Sequence, residues 1–359
     1  MDAQDNTLEM VHLIDRPAFC VSDGVIVSAN QAAQNHFILP GQPIAPMVVG
    51  AQAEYAAFTS GLLYLTLQIN GNDYGAAVDI VGPYHIFRLE QNPAGSELKA
   101  LAVAAQALRI PLSSIMVMTD RLFPALQIPE NSPTAEQMAR INRGLAQVQR
   151  IISNMSDAAR YSSDPPHLQT RDVDAVIREL FEQAAPLCQA QSVELSYSGL
   201  KSPTYSLIDS EQLERGIYNI LSNALKFTPA GGSIQGALTR RGNTLYLTVQ
   251  DSGSGIGPNG AGNVFDRFLR EPALEDGRQG LGLGMKLIRS CASAHGGTVL
   301  LENAENQGLR LTMSLAIRLN STNLRSPAMR IDYAGERNHG LMELSDSLPH
   351  SLYKPHQKN

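Results

Sequence analysis

Three observations along the chain predict a multidomain α/β protein. Residues 1–92 carry short alternating apolar segments broken by hairpin dipeptides. Residues 96–163 carry two long apolar seams at 3–4 spacing, and residues 168–317 mix alternating strands with glycine clusters that precede helices. At 359 residues there is room for two or three domains, and 43% hydrophobic content is enough for ordinary cores. The final segment, 318–359, is polar and proline-bearing. Leu341, Met342, Leu344 and Leu348 are apolar enough to dock, but the composition predicts a mostly disordered tail.

In the first unit, Phe19–Ser28 reads as two strands around the turn dipeptide Asp23-Gly24, and a helix starts at Asn30. Leu63, Leu65, Leu67 and Ile69 alternate as a half-buried strand that ends at Asn70-Gly71. Val78–Val81 and His85–Leu89 add two strands around Gly82-Pro83. This strand–strand–helix order followed by an antiparallel run resembles a PAS-type sensory domain, in pattern and without a diagnostic motif. An α+β fold is what that resemblance implies.

Ser96 offers an N-cap for the second unit. Leu98, Leu101, Ala105, Leu108, Leu112, Ile115 and Leu122 then form one seam, with Thr119 out of class. After a loop over Pro124–Pro133, Met138, Ile141, Leu145, Val148, Ile152, Met155 and Ala159 form another. An isolated antiparallel hairpin of this kind cannot bury both seams, so the pattern predicts a four-helix bundle made with a second copy, a homodimer through residues 96–163. The alternative is a hairpin packed on its own domain. Asp164-Pro-Pro166 reads as a short hinge.

The chemistry lies in the third unit. Asn219 and Asn223 are four residues apart in Asn219-Ile-Leu-Ser-Asn223-Ala-Leu-Lys226-Phe227-Thr228, so both amides project from one helix face. Amide oxygens are hard, neutral ligands suited to a Mg²⁺ ion already carried by a triphosphate, and Lys226 adds a point charge one turn on. Without further context, paired asparagines also solvate an ordinary helix face. Leu245–Gln250 alternates as a strand and runs into Asp251-Ser-Gly253-Ser-Gly255-Ile-Gly257. An aspartate there can receive the exocyclic amine of adenine, while the glycines let the backbone pass close to the base. Gly280, Gly282 and Gly284 precede an apolar helix, so their N–H groups suit phosphate oxygens. Residues between Pro258 and Gln279 read as a lid, in which Arg270 is either a contact for the terminal phosphate or an ordinary surface arginine.

The order and spacing of these clusters, with Val264-Phe265-Asp266-Arg267-Phe268-Leu-Arg270 between the last two, resemble the four nucleotide boxes of the sensor histidine kinases. The third unit resembles the ATPase domain (HATPase_c, GHKL type) shared with gyrase, Hsp90 and MutL proteins, which implies a Bergerat-type α/β sandwich binding ATP and Mg²⁺. Those other groups carry a water-activating glutamate where this chain has Asn219, and an amide there disfavours hydrolysis. His295 matches a structural position in the family, and Arg278 stands where its last box usually begins with glycine.

The hairpin resembles the family's dimerisation and phosphotransfer domain (HisKA-like), whose pattern is His-Glu-Leu-Arg-Thr-Pro-Leu. Here it reads Gln106-Ala107-Leu108-Arg109-Ile110-Pro111-Leu112. Gln106 replaces the acceptor; an amide nitrogen has its lone pair in resonance and cannot attack a γ-phosphate. Ala107 replaces the acid that draws the imidazole proton, and Ile110 replaces a hydroxyl that helps place water. Ser113 and Ser114 are hydroxyls without a base. The resemblance therefore implies a sensor protein that binds Mg-ATP but lacks its usual acceptor, acting with a response regulator or a partner histidine kinase. Phosphorylation of a histidine on another chain, slow ATP hydrolysis and serine phosphorylation are the alternatives.

A net charge of −6 without a basic stripe gives no support to nucleic-acid binding. Cys20, Cys188 and Cys291 are dispersed and read as reduced thiols. No run reaches roughly 18 consecutive apolar residues, and the acidic N-terminus lacks signal-peptide order. The expectation is a cytoplasmic protein without a transmembrane segment.

Overall fold

The computed structural model describes residues 3–90, 95–122, 132–255, 283–304, 308–319 and 339–353. After α1 (Ala3–His12), the first unit builds an antiparallel sheet from β1 (Ala18–Ser22), β2 (Val25–Ala29), β3 (Leu62–Ile69), β4 (Asn72–Val81) and β5 (Tyr84–Leu89). Helices α2 (Gln31–Gln34) and α3 (Gln52–Ala56) lie between β2 and β3. Two of the three predicted turns form where two consecutive residues accept positive φ: Asp23 and Gly24 at 49° and 75°, Asn70 and Gly71 at 51° and 78°. Asn30 caps α2 through Ala33 N–H at 2.9 Å, and its amide also donates to the carbonyls of Ile14 and Arg16, which pins the connection between α1 and β1 to the sheet.

One face of this sheet packs Phe19, Leu63, Leu65, Leu67, Val78 and Phe87 into a core of its own. Yet β3 is not half-buried as the alternation predicts, because Leu62 and Tyr64 on its other face are also buried. The reason is tertiary: β3 pairs edge to edge with β11 (Val299–Asn303) of the third unit, Leu63 opposite Leu300. Leu62, Tyr64 and Ala77 thus join the third unit's core. The resulting ten-stranded sheet runs β2-β1-β5-β4-β3-β11-β12-β10-β9-β7.

The hairpin consists of α4 (Gly95–Leu122) and α5 (Pro133–Ser163), the latter capped by the Ser132 hydroxyl on Ala135 N–H. The seam is only partly as predicted. Ala105, Leu112, Met116, Ile152 and Met155 are buried together, whereas Leu108, Ile115, Ile141 and Val148 are 44 to 50% exposed. Thr119, out of class in the pattern, is buried, with its hydroxyl donating to Ile115 O at 2.8 Å. A two-helix contact covers a narrower stripe than four helices do, so half of each seam faces away from the partner helix. Val103, Ile110 and Val117 lie exposed on the opposite side of α4. With apolar residues on both faces, Ala102–Thr119 reaches a mean hydropathy of 1.3 and is long enough to cross a membrane. The expectation counted only uninterrupted apolar runs, and this stretch is interrupted by Gln106, Arg109 and the Ser113-Ser114 pair.

The third unit adds β6 (Gln169–Asp172), α6 (Val173–Gln189), β7 (Glu194–Ser198), β8 (Tyr205–Ile208), α7 (Ser210–Phe227), β9 (Ser233–Arg241), β10 (Thr244–Asp251), α8 (Leu283–Ala294), β11 and β12 (Leu309–Ala316). Helices α6, α7 and α8 bury Phe181, Ile217, Leu221 and Ile288 against the sheet in a helix-on-sheet layer. The tail departs from its expected disorder. Residues 339–353 form α9 (His339–Glu343) and a 3₁₀ turn (His350–Tyr353), with Leu344 and Leu348 fully buried. Its leucines are too few to form a core alone but complete one supplied by the third unit.

Candidate functional site

Helix α7 forms one wall of the site. Asp209 caps it, accepting from Gln212 N–H at 3.0 Å and, through its other oxygen, from His167 N–H at 2.8 Å. His295, buried, accepts from Asp209 N–H at 3.0 Å and donates from Nδ1 to the Cys291 carbonyl at 2.7 Å. Burial lowers its pKa, so the ring is a neutral strut with both nitrogens engaged.

Asn219 is 1% exposed; its Nδ2 donates to Arg215 O at 2.8 Å, which aims Oδ1 out of the helix. Two groups meet that oxygen. A Cβ at Gly284 would stand 2.9 Å from it, so the start of α8 can approach only as glycine. From the hairpin, Arg150 Nη2 lies 3.4 Å away. Asn223 and Lys226 are half-buried further along the same helix, with Lys226 Nζ 5.6 Å from the Phe227 ring centre.

Asp251 ends β10 inside the opposite wall, 5% exposed. Its Oδ1 accepts from Gly253 N–H at 2.8 Å and Leu309 N–H at 3.2 Å, and no described residue bonds Oδ2. Burial raises its pKa, and the two backbone donors only partly counter that. The glycines after it serve close approach: a Cβ at Gly253 would lie 2.4 Å from Phe227 O. Gly255 has φ 64° and passes tightly against Asn303 and Gly308. The aspartate loop therefore meets α7 at Phe227, and Gly284 meets it at Asn219, eight residues or roughly 12 Å away. That separation suits a base at one end and a phosphate chain at the other.

The structure thus brings Gly253 and Gly284 to the helix that carries Asn219, with Asp251 bonded to Gly253 and Gly255 packed behind on Asn303 and Gly308. Gly257, Arg270, Arg278, Gly280 and Gly282 lie outside the described residues. Sequence reasoning missed Gly308, whose φ of 98° lets the chain cross the Asp251 carbonyl, and Leu309, which supplies the second donor. A glycine directly before an alternating strand was the available signal. It also missed Arg150, for which no local pattern exists. On the hairpin, Gln106 and Ala107 are exposed and Ile110 is 69% exposed. Ser113 and Ser114 donate to the carbonyls of Arg109 and Ile110, at 2.9 and 3.2 Å.

Residues 208–319 match the family model described as the histidine kinase-, DNA gyrase B- and HSP90-like ATPase, HATPase_c. Over 219 residues, 60% of this chain, the sequence is 28% identical to the alginate biosynthesis sensor protein KinB of Pseudomonas aeruginosa. The chain is a homologue of the sensor histidine kinases. It is also 27% identical over 230 residues, 63% of the chain, to the histidine protein kinase DivJ of Caulobacter vibrioides. The chain spans only 36% and 38% of those two histidine kinase sequences. Full-length ShkA, solved in complex with AMPPNP, shares the fold with a TM-score of 0.50 at 20% identity, covering 63% of this chain and 47% of that one. For a histidine-kinase homologue, the ATP-binding HATPase_c domain and its mixed α/β sheet are present.

The two walls differ in their readiness for a Mg-nucleotide. Asp251 fits an adenine donor as it stands, with one oxygen that no described residue bonds. Asn219 fits a metal better when the Arg150 guanidinium withdraws, because that cation bonds the same amide oxygen and repels a second cation there.

Proposed function

We propose that this chain is a signalling pseudokinase. It binds Mg-ATP between α7 and the glycine turns, with Asp251 on the adenine amine and Asn219 and Asn223 toward Mg²⁺. Nucleotide and input state alter a dimeric helical bundle, which regulates a partner histidine kinase or response regulator. The observation that carries this reading is the contrast on one chain between a buried Asp251 poised for a base and an exposed hairpin surface holding Gln106, Ala107 and Ile110. No nucleophile with a base stands on that surface among the described residues, and the two nearby serine hydroxyls are turned to backbone carbonyls.

The dimer is supported by exposed apolar residues on both faces of α4, matched on α5 by Ile141 and Val148. A PAS-like sensory role for the first unit is supported by its strand–strand–helix order followed by an antiparallel run. The second reading, phosphorylation of a histidine on another chain, is favoured by the intact adenine wall.

Incubation with γ-labelled ATP separates them. The expected outcome is nucleotide bound and no label on this chain, alone or with a partner carrying an intact histidine box. Acid-labile label on this chain alone ends the pseudokinase reading, and label on the partner, dependent on Asp251, establishes transfer in trans.

A further inference from the structure

Residues 339–353 fill the crevice between α5 of the hairpin and α6 and α7 of the ATP-binding domain. Leu344, Leu348 and Tyr353 enter that domain's core, and the Ser347 hydroxyl donates to Ser222 O at 3.2 Å. On the hairpin side, Arg143 donates to the carbonyls of Ser345 and Asp346, both at 3.2 Å, and Gln147 to Ser345 O at 3.3 Å. Asn142 donates to Tyr353 O at 3.1 Å, while the Tyr353 hydroxyl closes the segment on Leu341 O. The segment is therefore bonded to both bodies at once.

A buried charge cluster lies between them. Glu343, fully buried, pairs with Arg215 of α7 and lies 3.9 Å from Arg150 of α5; Asp346 pairs with Arg150. Arg215 has a second carboxylate in Asp157, at 3.1 Å, which belongs to the hairpin. Arg150 differs: among the described residues, both carboxylates paired with it come from the tail. Its remaining nitrogen, Nη2, is the group on Asn219 Oδ1. Removing one partner from such a cluster strands a buried charge, so the cluster fixes one arrangement of tail, hairpin and domain.

We infer that residues 339–353 are an intramolecular clamp that closes the ATP-binding domain onto α5 and holds the Arg150 guanidinium on the Asn219 amide oxygen. The consequence for nucleotide rests on the proposed reading of Asn219 as a magnesium ligand; the clamp itself does not. A guanidinium and a divalent ion at the same amide oxygen crowd and repel each other. Clamp closure and Mg-nucleotide binding therefore oppose one another, and each weakens the other by the same factor.

The test uses the full chain with spin labels at Gln137 on α5 and Thr239 on β9, both exposed. The parent protein is expected to give a narrow distance distribution. Leu344→Asp with Leu348→Asp should broaden it and tighten Mg-ATP binding by roughly tenfold. Arg143→Ala, which leaves both cores intact, is the second variant and should act in the same direction. A distribution that stays narrow after hydrogen exchange shows 339–353 released overturns the clamp. Broadening with unchanged Mg-ATP affinity overturns the competition at Asn219. Broadening in a protein that binds no nucleotide in any form supports the clamp and removes the nucleotide reading instead.

Discussion

The ATP-binding domain and the helical hairpin use their polar side chains in opposite ways. In the domain, Asn219, Asp251 and His295 are buried and each is oriented by backbone groups. On the hairpin, Gln106 stands exposed, Ile110 brings an alkyl group, and Ser113 and Ser114 serve their own helix. Reactivity needs both an appropriate atom and a surrounding that fixes it. The domain's polar groups are fixed in place, whereas among the described hairpin residues Gln106, Ile110, Ser113 and Ser114 are exposed or turned to their own helix.

The largest expected effect tests the domain's side of that contrast. Asp251→Asn should weaken nucleotide binding roughly 10- to 150-fold, the worth of one charged hydrogen bond of about 1.5–3 kcal/mol, as read by calorimetry. Its fold should persist, since an amide oxygen still accepts from Gly253 and Leu309. The same residue sets a pH dependence. Its pKa is raised above the ordinary 3.8, so nucleotide affinity should begin to fall at a pH higher than that of a normal aspartate. For stability the sign is reversed. The folded state binds the proton more readily than the unfolded, so this contribution declines as pH rises through the raised pKa, and Asp251→Asn should flatten that slope.

Next in size is Gly308→Ala. A Cβ there would lie 1.8 Å from the Asp251 carbonyl oxygen at a φ of 98°, so the loop must move. A loss of about 1–3 kcal/mol in denaturant unfolding is expected, with weaker nucleotide binding as Leu309 withdraws. An unchanged midpoint would show that the Asp251 wall is less rigid than its contacts indicate. The smallest effect concerns the hairpin. Ile110→Asp should leave single-chain stability nearly unaltered, because the side chain is 69% exposed, yet shift light scattering toward monomer. A species of unchanged mass would place that apolar face against something other than a second copy.

Local features of the fold and of the candidate site were legible because each motif is short-range. The Asn219–Asn223 spacing fixes a helix face, Asp23-Gly24 and Asn70-Gly71 demand positive φ, and the alternation before Asp251 ends a strand at that residue. Contacts between distant segments were not legible. Nothing around Leu62 and Tyr64 announces that their strand would be covered on both faces by pairing with β11. Nothing in a polar tail announces that Glu343 would be fully buried between guanidinium groups from two helices.

Residue chemistry and spacing alone thus singled out the candidate nucleotide side chains and placed an amide, Gln106, on the first hairpin helix. Tertiary structure decided which of those side chains stand open, through Arg150 on Asn219 and the tail that holds it there. The physical reason is range. Helix and turn preferences act over a few residues, whereas a buried charge is tolerated only where its partners, 69 positions away for Asn219 and 196 for Asp346, are carried by the fold to within bonding distance.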